Sequence, residues 1–212
     1  FSRSDENGNL LNINEQLTMR GSESDWIAHP DESVDLCVLP IGPALNGFIR
    51  AGKHLLTIPL SLELLPTDKQ IQDMGCMDEV TMVGYPNGIW DEANNLPIVR
   101  RGITATPYRY DYQGQKEFLV DMACYPGSSG SPVFLYNEGT YLENDAVVMG
   151  KRLYLLGILR AVPIRTLLGD ITVSTIAHVS VQDMLNLGIV IKSERLRDFD
   201  PIVRERLSVS GN

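Results

Sequence analysis

Residues 125–132 read Tyr125-Pro126-Gly127-Ser128-Ser129-Gly130-Ser131-Pro132 and form the most informative stretch of the chain. Proline followed by glycine suits the two central positions of a type II turn, because glycine adopts positive φ there at little cost. Such a turn can aim the backbone N–H groups of Gly127 and Ser129 at one point. A serine hydroxyl beside converging amide donors suits acyl transfer, since the hydroxyl attacks a carbonyl and the amides stabilise the oxyanion. Without its context, the same stretch is also an ordinary polar turn between strands.

Short apolar runs lie on both sides of this turn and are separated by Gly, Pro, Asn and Asp. This spacing predicts an all-β barrel or sandwich rather than alternating strands and helices. The predicted strands are Val34–Ile41, Val80–Tyr85, Ile98–Thr106, Glu117–Ala123, Val133–Tyr136 and Arg152–Val162. Between the last two, Asn137–Lys151 is predicted to be a long, net-acidic loop. Short helices are expected late in the chain, over Ser180–Leu187 and from Ser193 onward, the second interrupted by Pro201.

Composition narrows the class of protein. The chain has 212 residues, of which 43% are hydrophobic and 21% charged, so a packed core is expected rather than disorder. The net charge of −9 argues against a nucleic-acid partner, which selects clustered Lys and Arg. No apolar run approaches the roughly 18 residues of a membrane span. We therefore expect no nucleic-acid partner and no membrane span.

The three cysteines, Cys37, Cys76 and Cys124, are odd in number and widely spaced. They predict neither a disulfide framework nor a zinc site. We expect three reduced, mostly buried thiols in a reducing compartment and hence a cytoplasmic protein. A periplasmic or secreted protein is the alternative, because a leader would lie upstream of Phe1.

The central stretch resembles the G-x-S-G-[GS]-P signature of trypsin-like serine proteases, the chymotrypsin-fold superfamily. The longer segment Val120–Ser129, VDMACYPGSS, is similar to that of bacterial Htr-type members. The resemblance implies that Ser129 is the catalytic nucleophile and that the N–H groups of Gly127 and Ser129 form the oxyanion hole.

Other segments resemble parts of the same family in the same order. Ser33–Leu39, SVDLCVL, looks like the aspartate strand, which implies that Asp35 orients the catalytic histidine. A lone acidic residue that starts an edge strand is the ordinary alternative for Asp35. The three further matches are Gly84–Gly88 with its Gly-x-Pro turn, the returning strand Val99–Ile103, and Leu155–Leu159 on the wall of the substrate cleft.

The resemblance implies a chymotrypsin-like double β-barrel with short C-terminal helices. Residues 1–65 would form the remainder of the first barrel, 66–79 a connector, 80–192 the second barrel, and 193–212 a helix or tail. Because Phe1-Ser2-Arg3 reads as the end of a strand, the first barrel is expected to be incomplete at its N-terminus.

The resemblance also implies the substrate pocket, with Ala123 and Cys124 at its floor and Leu159 on its wall. These side chains predict a preference for a small or medium apolar residue before the scissile bond. The substrate is expected to be a peptide or protein, with no cofactor and no metal. A partner domain or chain beyond the fragment ends stays open. Ser128 replaces the Asp of digestive trypsin relatives, so maturation by a new N-terminus is not expected.

The catalytic histidine is not evident. Only His29 precedes Asp35, and six residues is too close for the strand-turn-strand excursion that the family places between the two. Trp26–Pro30 instead resembles the exposed His-Pro often found just before the aspartate strand.

The other two histidines fit no better. His54 reads as a connector residue, and His178 would need the Ser–Asp–His order of α/β-hydrolases, whose strand–helix alternation is absent from the pattern. We therefore expect the histidine upstream of Phe1, and no appreciable turnover from residues 1–212 alone.

Three hypotheses follow. The first is a serine endopeptidase that acts through an acyl-enzyme on Ser129. The alternative is a catalytically inactive pseudoprotease that serves as a binding or regulatory module. A third is an unrelated β-barrel in which the serine turn is accidental.

Overall fold

The structure, a computed structural model, describes residues 1–18, 25–125, 127–143, 146–161, 164–171 and 177–209, with the backbone alone for 164–171, 177–184 and 209. In chain order the strands are β1 Ser2–Ser4, β2 Leu10–Asn14, β3 Ile27–Ala28, β4 Cys37–Val38, β5 His54–Leu55, β6 Glu79–Gly84, β7 Ile98–Thr104, β8 Glu117–Asp121, β9 Pro132–Glu143, β10 Ala146–Ala161, β11 Ile164–Ile171, β12 Ala177–Met184 and β13 Leu187–Lys192. The α-helices are α1 Gly42–Arg50, α2 Asp68–Gln72 and α3 Phe199–Val209. The chain is therefore mostly β-sheet with few short helices, which confirms the all-β prediction at this level.

The chain divides into two compact units. One comprises Phe1–Leu62, Asp91–Leu96 and Glu194–Asn212, and the other comprises Glu63–Trp90 and Pro97–Ser193. The segment 66–79, predicted to be a connector, thus belongs to the second unit, where it contains α2. A capping box in which Thr67 and Gln70 bond each other's backbone N–H groups begins this helix.

The first unit contains short strands and the α-helices α1 and α3. β1 pairs with β2 and with β5 in a three-stranded sheet, and β3 pairs with β4. The turn between β1 and β2 is fixed by Asp5, whose carboxylate accepts from the N–H groups of Asn7 and Asn9, and by Gly8 at φ +82°. Pro43 lies in the first turn of α1, where its missing N–H has no partner to lose.

The second unit is built on a closed barrel of six antiparallel strands in the order β10-β13-β8-β7-β6-β9. Side chains along these strands alternate in burial because successive residues of a strand face opposite sides of the sheet. In β6, Val80 and Met82 are buried, and in β8, Phe118 and Val120 are buried. The inward-facing side chains form a single core.

β9 and β10 continue past the barrel as a long two-stranded arm. Their pairing runs without interruption from Glu143 opposite Ala146 to Leu135 opposite Tyr154. The prediction of a loop over Asn137–Lys151 is therefore wrong. Cross-strand contacts hold the arm: Lys151 pairs with Glu138, and Arg152 donates to Asn137 at 2.7 Å.

The late helical prediction is half right. Ser193–Asp198 forms a 3₁₀ helix that leads into α3, so the expected C-terminal helices are present. Pro201 does not interrupt α3, because it lies in the first turn, where no intrahelical bond needs its N–H. The helix predicted over Ser180–Leu187 is wrong, since this segment covers the end of β12 and the start of β13. Pairing with β11 and β8 prevails there over a local capping pattern.

Within the described ranges, no helix is both long and apolar enough to cross a membrane.

β10 requires a glycine at position 157, where its pairing with β9 is irregular. At Gly157 the pairing of β10 with β9 shifts register, and a Cβ added there would overlap the backbone carbonyl oxygen of Ile191. We expect Gly157→Ala to lower the free energy of unfolding by at least about 2 kcal/mol in a urea titration. Gly150→Ala in the same strand is the control, because its nearest neighbour is the Tyr141 hydroxyl at 4.0 Å. Equal stability of the two variants would contradict this account.

Candidate functional site

The candidate site is the loop that joins β8 to β9, residues 122–131. Its first part runs along the barrel end with Met122 and Cys124 buried and Ala123 and Tyr125 exposed. The Met122 N–H donates to the Asn186 carbonyl at 2.9 Å. The loop therefore enters the site from a fixed edge of the barrel.

The predicted turn is present in this loop. The Ser128 N–H donates to the Tyr125 carbonyl at 3.0 Å, and Gly127 has φ +81°. Pro126 lies outside the described residues. A positive φ three positions into a four-residue turn is the type II geometry that glycine favours.

The second half of the loop is fixed to β10. The Gly130 N–H donates to the Leu159 carbonyl at 2.8 Å, and the Leu159 N–H donates to the Ser131 carbonyl at 2.9 Å. The Ser131 N–H donates to the Ser128 carbonyl at 3.1 Å, which closes a second turn. The residues on either side of Ser129 are therefore held by backbone hydrogen bonds.

Two N–H groups of the loop stay unused. Among the residues that the structure describes, those of Gly127 and Ser129 donate to no protein acceptor, whereas those of Ser128, Gly130 and Ser131 are all bonded. Both Gly127 and Ser129 are exposed. Two free amide donors two residues apart are the elements from which an oxyanion hole is made.

The two adjacent serines have opposite environments. Ser129 is exposed, whereas Ser128 is fully buried and its Oγ has no hydrogen-bond partner in the described part of the chain. An unsatisfied buried hydroxyl costs about 1–3 kcal/mol. Only the Ser129 hydroxyl is therefore in a position to meet a ligand from solvent.

The end of β6 and the turn after it pack closely on this loop. A Cβ on Gly127 would lie 2.9 Å from the Asn87 nitrogen, and a Cβ on Gly84 would overlap the Ser131 hydroxyl. The turn at Asn87 has φ 50°, followed by Gly88 at φ 71°. The Gly84–Gly88 segment, picked out in the sequence, thus forms one wall of the loop.

Asp35 and His29 belong to the first unit, whereas Ser129 belongs to the second. Asp35 is exposed. His29 is buried, at 5% exposure, so the expectation of an exposed His-Pro is wrong. Its Nδ1 accepts from the Asp31 N–H at 3.0 Å, and its Nε2 lies 3.1 Å from Asp198 Oδ2. Both ring nitrogens of His29 are therefore engaged within its own unit.

Of the remaining histidines, His54 belongs to the first unit and His178 to the second. His54 lies in β5, exposed, with its backbone paired to Ser4. His178 lies in β12, where its backbone pairs with that of Asp170 in β11. The His178 side chain lies outside the described residues.

The predicted pocket residues lie close together, but two of them face the core. Cys124 and Leu159 are fully buried, and a Cβ on Gly188 would touch both, at 2.8 Å from Sγ and 2.7 Å from Leu159 Cδ1. Ala123 is exposed. Their pocket role stays a prediction.

The expectation of mostly buried thiols is wrong, because Cys37 and Cys76 are exposed and only Cys124 is buried. All three are free thiols. Burial raises the pKa of the Cys124 thiol to about 11, and the nearby positive charge of Arg100 opposes this rise.

Sequence reasoning missed Arg100 in β7. Its Nη1 donates to the Ala123 carbonyl, and its guanidinium lies 4.8 Å from the centre of the Tyr125 ring. The alternation of β7 could have indicated that one of the two arginines faces inward, since consecutive residues of a strand face opposite sides.

In the described part of the chain, no three His, Cys, Asp or Glu side chains gather to hold a metal ion.

Comparisons of the chain with protein-family models, with curated proteins and with solved structures each find no match.

The two glycines of the loop provide a test of its packing. Gly127 and Gly130 both have positive φ, +81° and +85°, but only Gly127 has neighbours within 4 Å of an added Cβ. We expect Gly130→Ala to cost about 1 kcal/mol of unfolding free energy from backbone strain, and Gly127→Ala about 2 kcal/mol or more. Thermal and urea unfolding measure both. A smaller loss for Gly127→Ala would show that Asn87 does not pack on the loop.

The thiols provide a second test. In folded protein at pH 8 we expect iodoacetamide to alkylate Cys37 and Cys76 and to spare Cys124, which is buried and protonated. Because the folded state keeps the Cys124 proton up to about pH 11 and the unfolded chain releases it near pH 9.0, this thiol's contribution to stability is lost as pH rises across that window. Cys124→Ala should remove this part of the pH dependence. Rapid alkylation of Cys124 in the folded protein would contradict the assignment.

Proposed function

We propose that the protein is a serine endopeptidase that cleaves peptide bonds through an acyl-enzyme on Ser129. The observation that supports this most is the alternation of bonded and free N–H groups along the loop. The groups of Ser128, Gly130 and Ser131 fix its shape, while those of Gly127 and Ser129 have no protein acceptor among the described residues. The central N–H groups of a β-turn are free in any case, so the weight of this observation lies in their position beside the exposed Ser129 hydroxyl.

In the proposed reaction the Ser129 Oγ attacks the substrate carbonyl carbon while a base takes the hydroxyl proton. The carbonyl π electrons move to oxygen, and the N–H groups of Gly127 and Ser129 donate to that oxyanion. Collapse breaks the C–N bond, and the amine leaves with the proton from the base. Water then attacks the ester with the same base, which releases the acid and restores Ser129.

The base in this proposal is a histidine, as in the triad that the serine turn resembles. His29 is a poor candidate, because its Nδ1 accepts a backbone N–H instead of donating to a carboxylate. The triad requires an Nδ1–H directed at the aspartate.

The alternative is a pseudoprotease that keeps the loop as a binding module. One observation favours it: among the described side chains, the unit that carries Ser129 contains no histidine. Such a module would bind a peptide carbonyl at the free N–H groups and would not form a covalent product.

Labelling of the full-length protein with a neutral fluorophosphonate tests the proposal. We expect mass spectrometry to find the adduct on Ser129 and peptide hydrolysis to accompany it, and Ser129→Ala to abolish labelling and lower kcat by about 10⁶.

Ser128→Ala is the matched control. It removes a buried hydroxyl that has no partner in the described structure, so labelling should persist and stability should stay equal or rise. Full-length protein that folds, yet neither labels at Ser129 nor cleaves peptides, would overturn the endopeptidase and leave the pseudoprotease.

A further inference from the structure

Arg100 lies on the inner face of β7, but it is only half-buried, and its contact with the Ala123 carbonyl is exposed. In the register of β6 and β7, Arg100 lies directly opposite Met82, which is buried in the core. Cross-strand partners share a face of the sheet, so Arg100 faces inward while its neighbour Arg101 faces outward. Arg101 pairs with Glu79 on that outer face.

A carboxylate partner is missing for Arg100 among the described residues. Most other basic side chains of the second unit have one: Arg152 with Asp78, Arg160 with Glu117, and Lys192 with Asp111. Because Arg100 is half-exposed, its charge can meet a carboxylate from solution. Arg109 shares this feature, since the structure places it against the Cys76 Sγ and the Tyr110 ring instead of a carboxylate.

The contacts of Arg100 direct it to the candidate site. Its Nη1 donates to the Ala123 carbonyl and its guanidinium lies 4.8 Å from the Tyr125 ring centre, and these two residues immediately precede the turn at Gly127. A guanidinium has five N–H donors. The structure gives one of these donors a protein acceptor, the Ala123 carbonyl. Donors therefore remain for a ligand.

We propose that Arg100 is a specificity-determining residue that binds a carboxylate of the substrate, so that the site prefers an acidic residue before the scissile bond. This inference rests on the proposed function and replaces the apolar preference expected from Ala123, Cys124 and Leu159. A planar guanidinium binds a carboxylate with two parallel hydrogen bonds, an arrangement that an amide of the same shape cannot match.

The test uses full-length protein and peptidyl phosphonate esters that differ only in Glu, Gln or Val at the residue before the reactive phosphorus. We expect Ser129 to react about tenfold faster with the Glu probe than with the Gln probe, as one charged hydrogen-bonded pair at a half-exposed site predicts. Arg100→Gln should make the two rates equal, and added salt should reduce the preference.

Arg101→Gln is the matched control: it removes the next arginine of the same strand, already paired with Glu79 on the outer face, and should keep the preference. Arg100→Lys keeps the charge without the fork and should keep an intermediate preference. It also serves if Arg100→Gln does not fold. If Arg100 only held the loop in place, Arg100→Gln would lower the reaction rates with the Glu, Gln and Val probes by the same factor.

The outcomes separate the two proposals. Labelling of Ser129 by a neutral fluorophosphonate with equal Glu and Gln rates would overturn the role of Arg100 and leave the endopeptidase standing. If no probe labels Ser129, calorimetric titration of the Ser129→Ala variant with the matching Glu and Gln peptide amides tests whether the site recognises a carboxylate. Tighter binding of the Glu peptide that Arg100→Gln abolishes supports carboxylate recognition by a non-catalytic site, and equal binding overturns it.

Discussion

The structure around the candidate site depends on the way β9 closes the barrel. The first residues of β9 pair on one side with β10, from Pro132 opposite Ile158, and on the other side with β6, where Val133 lies opposite Met82. Both neighbours must be met within a few residues, so the chain that leads into β9 has little freedom. The preceding loop is therefore fixed by barrel closure together with the local turn at Gly127.

That constraint explains the pattern of hydrogen bonds in the loop. Leu159 of β10 accepts a hydrogen bond from the Gly130 N–H and donates one to the Ser131 carbonyl. The Ser128 N–H closes the turn by donating to the Tyr125 carbonyl. Glycine at 127 allows the backbone to pass against Asn87, and glycine at 84 makes room for Ser131. Because these contacts fix the loop, the free N–H groups of Gly127 and Ser129 need not reorganise to meet a ligand. Amide dipoles stabilise a developing charge best under this condition.

The barrel strands could be predicted from the sequence because Val80, Met82, Phe118 and Val120 alternate with less buried residues. The arm could not, because its stability comes from cross-strand partners such as Glu138 and Lys151 that are distant in sequence. The serine turn was predictable because proline and glycine dictate its geometry locally. The burial of His29 was not, since Asp198 and Phe199, which surround its ring, lie about 170 residues away along the chain. The sequence did not indicate which of Arg100 and Arg101 faces inward. The register of β6 and β7 shows that it is Arg100, because this residue lies opposite Met82.

The charge of Arg100 and the free amides of the loop act in the same direction. Both favour negative charge at the end of the barrel, although the chain as a whole carries −9. The buried Cys124 lies nearby, where burial raises the pKa of its thiol and the charge of Arg100 opposes that rise. In the proposed site, the partial charges of the free amides and the full charge of Arg100 would bind anions, although the chain as a whole is acidic. Recognition of an acidic residue and stabilisation of an oxyanion would then be two uses of one electrostatic environment.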